Sequence, residues 1–115
     1  MPSGSKDFLQ IRNLDSTVTV DSILKPYLDR FLSETRSNIQ SLRKAHSEKE
    51  WESMRKLSHK IRGSAGSYGF VDLGDCAAVI EDTVPLKDPT KTGHLIGLIE
   101  NHIATVIIVY KSDEG

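Results

Sequence analysis

Apolar residues return every third or fourth position from Leu28 to Ala45, through Phe31, Leu32, Thr35, Ile39 and Leu42. A strand alternates every second residue, so this spacing predicts one long amphipathic helix ending near His46. Pro26 stands at its start, where the missing N–H is harmless, and Asp21 or Ser22 is placed to cap a short turn before it. Ser47 with Glu50 three residues on has the pattern of a capping box, which predicts a second helix running to Ala65 or beyond. Asp72 is placed to cap a third, with Leu73, Cys76, Ala77 and Ile80 on its apolar side. Two prolines within residues 84–93 mark a loop. A fourth helix then carries Leu95, Ile99, Ile103, Val106 and Tyr110. Its end, TVIIVY, is β-branched enough to be a strand. Helical spacing continues from Leu95, however, and no second strand offers a partner, so helix is expected. Four amphipathic helices without a strand pattern predict an all-α fold, a four-helix bundle.

Residues 1–20 are rich in Ser, Thr and Asp, with Phe8, Leu9, Ile11 and Leu14 scattered among them. They are expected to form an N-terminal arm or short helix that docks on one domain of residues 21–112. A chain of 115 residues buries a sufficient core without disulfides. A net charge of −1, from 15 basic and 16 acidic residues, gives no field that recruits nucleic acid or an anionic membrane. The single cysteine, Cys76, excludes a disulfide framework and fits a reducing compartment. Met1–Ser5 is polar with no apolar segment after it, and Ile103–Tyr110 is far shorter than the ~20 residues of a membrane-spanning helix. The expected location is the cytoplasm. Cys76 and His102 fall on apolar faces and are expected in the core, with Trp51 at its edge. His46 lies at a helix end and His94 beside the loop.

The stretch KLSHKIRGSAGSYGF, residues 56–70, does not fit a purely structural role. With Ile61 set at zero and about 100° per residue, Met54, Leu57, Ala65 and Tyr68 fall within about 40° of it, while His59 falls at about 160°. On the side of His59 lie Glu52, Arg55, Lys56, Gly63 and Gly66, with Arg62 at the flank. Glycine inside a helix costs roughly 1 kcal/mol relative to alanine, so Gly63 and Gly66 call for a compensating use. A helix end with Gly66 as its cap accounts for Gly66 and Gly69 but not for Gly63. Close approach of a partner's surface accounts for all of them. An exposed imidazole is largely neutral near pH 7 and offers a lone pair to an electrophile. Cations at 55, 56, 60 and 62 suit an arriving anion such as a phosphoryl group. No Gly-rich lysine loop for ATP and no metal-ligand pair is present.

HKIRGSAGSYGF resembles the signature of histidine-containing phosphotransfer (HPt) domains: His, two residues, Lys or Arg, Gly, a small-residue run and a second Gly. His59 matches the phosphorylated histidine and Gly63 the glycine after the cation, while Ser64, Gly66, Gly69 and Phe70 match the small run and its end. The likeness extends over residues 21–84. It implies an antiparallel four-helix bundle that carries a phosphoryl group in a two-component phosphorelay. The chain would be a substrate and carrier rather than an enzyme, with no cofactor of its own. His59 would accept the group from a receiver-domain aspartate or a hybrid sensor histidine kinase and pass it to a response-regulator receiver, which supplies Mg²⁺. Arg62, Lys56 and Lys60 would neutralise charge, and Arg55, Gly63, Ser64 and Gly66 would meet the partner. Arg62 departs from the usual lysine, keeping the charge but presenting a planar fork. Glu81, 22 residues after His59, matches a glutamate that orients the imidazole in chemotaxis-type kinases.

The same residues leave open the phosphotransfer domain of such a kinase, or a helical interaction module without phosphotransfer. A start at Met1 and an end at Gly115 fit a small separate protein. A kinase dimerisation domain fits poorly, because Lys60 follows His59 and no proline appears before Pro85.

Overall fold

A computed structural model describes residues 14–112. Strand β1 (Thr17–Asp21) is followed by helices α1 (Lys25–Ser47), α2 (Trp51–Ser67), α3 (Val71–Thr83) and α4 (Pro89–Thr105), and then by strand β2 (Ile107–Lys111). Of the N-terminal stretch read as an arm, Phe8, Leu9 and Ile11 lie outside the described residues. Each helix packs chiefly on two others: α1 on α2 and α4, and α3 on α2 and α4. The shared core is built from the periodic positions. Leu28, Phe31, Thr35, Ile39, Leu42 and Ala45 are buried along α1, and Met54, Ile61 and Ala65 along α2. Leu73, Cys76, Ala77 and Ile80 of α3 meet Leu95, Ile96, Ile99 and Ile103 of α4. Burying one such side chain contributes about 1.5–3 kcal/mol, which is why these stripes set the helix orientations. A two-pronged ion pair, Arg43 Nη2–Glu100 Oε1 at 2.8 Å and Arg43 Nε–Glu100 Oε2 at 3.0 Å, joins α1 to α4 and holds the Glu100 carboxyl below the usual carboxylate range.

The all-α expectation fails at the chain's two flanks. β1 and β2 pair in parallel, Thr17 with Ile107 through to Asp21 with Lys111. α4 ends at Thr105, because Val106 adopts an extended backbone (φ −63°, ψ 140°). Val106 and Tyr110 therefore do not continue the fourth helix. The partner strand is the TVTV stretch, whose alternation buries Val18 and Val20 and exposes Thr17 and Thr19. Lys25 Nζ stands 5.1 Å from the Tyr110 ring centre, a cation–π contact from α1 to β2.

Several boundaries also shift. Ser47 closes α1, its hydroxyl donating to the Lys44 carbonyl, and forms no capping box; Glu50 precedes α2 without a side-chain cap. Asp72 lies inside the first turn of α3, where its carboxylate accepts from the Asp15 N–H at 2.7 Å instead of capping the helix. The loop is shorter than 84–93: Asp88 caps α4 by accepting from the Thr90 and Lys91 N–H groups. Asp21 does cap a single turn, accepting from the Ile23 N–H. Gly66 is not a cap, since α2 runs to Ser67. Gly69 is the residue past the helix end, at φ +81°. Its N–H donates to the Gly66 carbonyl and the Phe70 N–H to the Ala65 carbonyl, the paired closure that a left-handed residue permits. The turn drops Phe70 fully into the core, 5.0 Å from the Phe31 ring, while Tyr68 stacks on Phe31 at 4.3 Å.

The Phe70 ring also meets the edge of His102, which is only 3% exposed. Neither ring nitrogen of His102 has a well-aligned hydrogen-bond partner. Desolvation pushes its pKa down, and the Asp72 carboxylate with the backbone and carboxylate of Asp15 only partly offsets this.

Two predictions follow from these contacts. An alanine at 69 must hold a left-handed backbone and set its Cβ 3.3 Å from the Thr19 carbonyl oxygen. Gly69→Ala should therefore lower stability by about 1–2 kcal/mol in urea denaturation. An unchanged midpoint would show that the turn relaxes without loss. For His102, the folded ring stays neutral while the unfolded ring protonates, so the unfolded chain binds more protons and stability falls as pH drops through the ordinary value of 6.5. His102→Phe should flatten that decline between about pH 7 and about pH 5, read as melting temperature against pH.

Candidate functional site

Met54, Ile61 and Ala65 point inward, so helical geometry turns His59 outward, and its side chain is 60% exposed. The adjacent helix α3 brings Glu81 alongside. Glu81 Oε2 lies 3.1 Å from His59 Nδ1. Arg62, one turn beyond His59, places Nη2 3.2 Å from the same nitrogen and Nη1 3.4 Å from Glu81 Oε1. The three side chains form a closed triangle with the imidazole at its outer corner. Glu81 is the most enclosed member, with its side chain 18% exposed. Its Oε1 is buried and accepts no well-aligned hydrogen bond, so the Arg62 contact is chiefly charge attraction. Ring geometry puts Nε2 on the edge of the imidazole away from Nδ1 and its two neighbours.

The other residues singled out from the sequence sit around this triangle in different roles. Lys56 and Lys60 are exposed on α2. Arg55 is half-buried and bound through both prongs to Glu52, at 2.6 and 3.0 Å. That hydrogen bonding holds the Glu52 carboxyl below the usual carboxylate range and raises the Arg55 guanidinium. Ser64 is half-buried, and its hydroxyl turns back to the Lys60 and Ile61 carbonyls at 3.2 and 3.3 Å. Gly63 and Gly66 are exposed, and a Cβ built on either meets nothing within 4 Å. Above the imidazole's own helix, therefore, the surface beyond His59 is bare backbone. His46 and His102 are committed elsewhere: His46 Nε2 donates to the Pro89 carbonyl at 2.8 Å, and His102 is buried.

Sequence reasoning paired Glu81 with His59 and left Arg62 for an incoming anion. It missed that Arg62 already touches both. The signal was available in the spacing, since a residue one turn past His59 on its flank faces the same neighbouring helix. Ser58, next to His59 in the chain, is fully buried with its hydroxyl unpaired. Among the described residues, no group of three His, Cys, Asp or Glu side chains could hold a metal ion. The arrangement offers an exposed imidazole with an acceptor and a cation both at Nδ1.

A sequence model of the family described as Hpt domain matches residues 26–107, which takes in the four helices except Lys25 at the start of α1, and the first residue of β2. No curated protein and no solved structure matches the chain significantly.

The open space at Gly63 has a measurable consequence. Gly63→Ala should raise stability by up to about 1 kcal/mol in urea denaturation, because alanine is the better helix former. A lower midpoint would show that Gly63 serves backbone geometry rather than surface clearance.

Proposed function

The chain belongs to the Hpt domain family, and on that premise we propose that it relays a phosphoryl group through His59 between the receiver domains of a two-component phosphorelay. Histidine phosphotransfer in two-component signalling is the family's role, and its members carry the group rather than catalyse a reaction of their own. The observation that carries the assignment to His59 is the triangle: an exposed imidazole with Nδ1 held beside Glu81 and its opposite nitrogen turned to solvent.

In the forward step, the Nε2 lone pair attacks phosphorus of an aspartyl phosphate. The P–O bond to the aspartate breaks, and its electron pair returns to the carboxylate. The ring, now bonded to phosphorus and protonated at Nδ1, is cationic, and the Glu81 carboxylate accepts the Nδ1–H and balances the charge. Arg62, Lys56 and Lys60 neutralise the phosphoryl oxygens. The receiver brings the aspartate and Mg²⁺. Return to a second receiver is the reverse sequence. The bare backbone at Gly63 and Gly66 suits close docking of a receiver, with Arg55 and Ser64 at its margin, because in-line attack tolerates little added separation. Three-residue connections at 48–50 and 68–70 support an antiparallel order of the helices. The partners in this reading are response-regulator receivers and a hybrid sensor histidine kinase, and the place is the cytoplasm. Among the described residues, no helix is long and apolar enough to cross a membrane.

The Glu81–His59 contact favours a second reading, the phosphotransfer domain of a chemotaxis-type kinase. In that case a kinase domain with ATP, rather than a receiver aspartate, loads His59 efficiently.

Incubation with a phosphorylated receiver and Mg²⁺ should give acid-labile, base-stable phosphate on this chain, and His59→Gln should abolish it with helicity retained. Label that persists in this variant, on His46, His94 or His102, sinks the assignment. Arg62→Ala should slow transfer by ~10-fold or more, and Arg62→Lys should retain much of the rate. Gly63→Leu should slow transfer from a receiver while leaving the fold intact. A wild-type rate in Arg62→Ala assigns the neutralising role to Lys56, Lys60 or the receiver.

A further inference from the structure

Two side chains of opposite character address one nitrogen. Arg62 Nη2 is 3.2 Å from His59 Nδ1 and Glu81 Oε2 is 3.1 Å from it. A guanidinium only donates and an ionised carboxylate only accepts. Arg62 can therefore bond Nδ1 only when that nitrogen bears its lone pair, which puts the proton of the neutral ring on Nε2. Glu81 can bond Nδ1 only when it bears the proton, which leaves the lone pair on Nε2. The two contacts exclude each other and select opposite tautomers. Only the second exposes a nucleophile on the outer edge of the ring.

We propose that Arg62 is a tautomer gate: at rest it donates to Nδ1 and holds His59 in the form with Nε2 protonated, and an arriving phosphoryl group draws it away. This deepens the reading of His59 as the phosphoacceptor and rests on it. The triangle explains why the resting arrangement favours the arginine. Nη1, 3.4 Å from Glu81 Oε1, offsets the carboxylate's charge while Nη2 occupies the ring nitrogen, and a planar fork suits both contacts at once. A phosphoryl group offers the guanidinium a stronger, two-pronged partner. Once Arg62 leaves, the Nε2 proton passes to water, a proton from water joins Nδ1, and Glu81 accepts the new N–H. The ring is 60% exposed, so solvent can carry both protons. The charge of the substrate thus creates the nucleophile that attacks it.

The test is long-range ¹H–¹⁵N correlation of the His59 ring in the full chain at alkaline pH, where the two nitrogen shifts report the proton's position. In the wild type the proton should sit mainly on Nε2. Arg62→Met should move the tautomer ratio toward Nδ1–H by about fivefold or more, the contribution of one exposed charge-assisted hydrogen bond. Glu81→Ala should leave the proton on Nε2. A wild-type ring already protonated at Nδ1, or a ratio that Arg62→Met does not change, overturns the gate. Phosphorylation is scored separately. Acid-labile phosphate on His59 with an unmoved tautomer defeats the gate alone, whereas a moved tautomer without phosphate from any donor supports the gate's geometry and defeats the phosphorelay reading.

Discussion

The left-handed turn at Gly69 is the constraint on which the rest of the molecule depends. It closes α2 with two backbone hydrogen bonds and, one residue later, commits Phe70 to the core. With Phe70 anchored against Phe31 and His102, α3 starts at once and lies against α2. The rotational phase of α3 is then set by Leu73, Cys76, Ala77 and Ile80, all of which must face inward. Glu81 follows Ile80 and so emerges at the seam between α2 and α3, where His59 stands. The geometry of the imidazole's neighbours is thus decided about ten residues away on each side, by a backbone conformation that favours glycine.

The polar triangle and the apolar core make opposite demands on α2. One face is buried to 0% exposure at Met54, Ile61 and Ala65, and the other carries an exposed histidine with two glycines that contribute nothing to packing. Helix propensity is given up on the exposed face, where a Cβ at Gly63 or Gly66 would meet nothing within 4 Å. The opposite stripe supplies the burial that compensates, since each apolar side chain contributes more than a glycine costs.

The helices and the outward turn of His59 were legible because both follow from one period, 3.6 residues, sustained over many positions. Leu28 through Ala45 states it plainly, and Met54, Ile61 and Ala65 repeat it. The sheet was not legible in the same way. The Thr17–Val20 alternation is only four residues long and sits in a polar stretch, so the β-branched segment after Thr105 shows no partner in the sequence. Pairing across some 90 intervening positions carries no local signature. Cap assignments went astray for a related reason. Ser47 has the right chemistry for a cap, but Glu48 and Lys49 continue into a turn with Lys49 at φ 55°, and tertiary packing set where α2 begins. The spacing of Arg62, one turn past His59 on its flank, carried the signal for its contact with both His59 and Glu81, while the distances themselves depend on how closely α3 lies to α2.

The parallel pairing of β1 with β2 has a mechanical meaning. The pair joins the segment before the bundle to the segment after it, and in a parallel pair the chain enters β1 at one end of the ladder and leaves β2 at the other. Tension applied at residues 17 and 111 therefore loads the strands in shear, so that the ladder's hydrogen bonds bear the force together rather than opening one at a time. The four helices lie within the loop that this clasp closes. A pull along the chain must break the clasp before any helix feels it, so the site on α2 is shielded from strain transmitted through either flank.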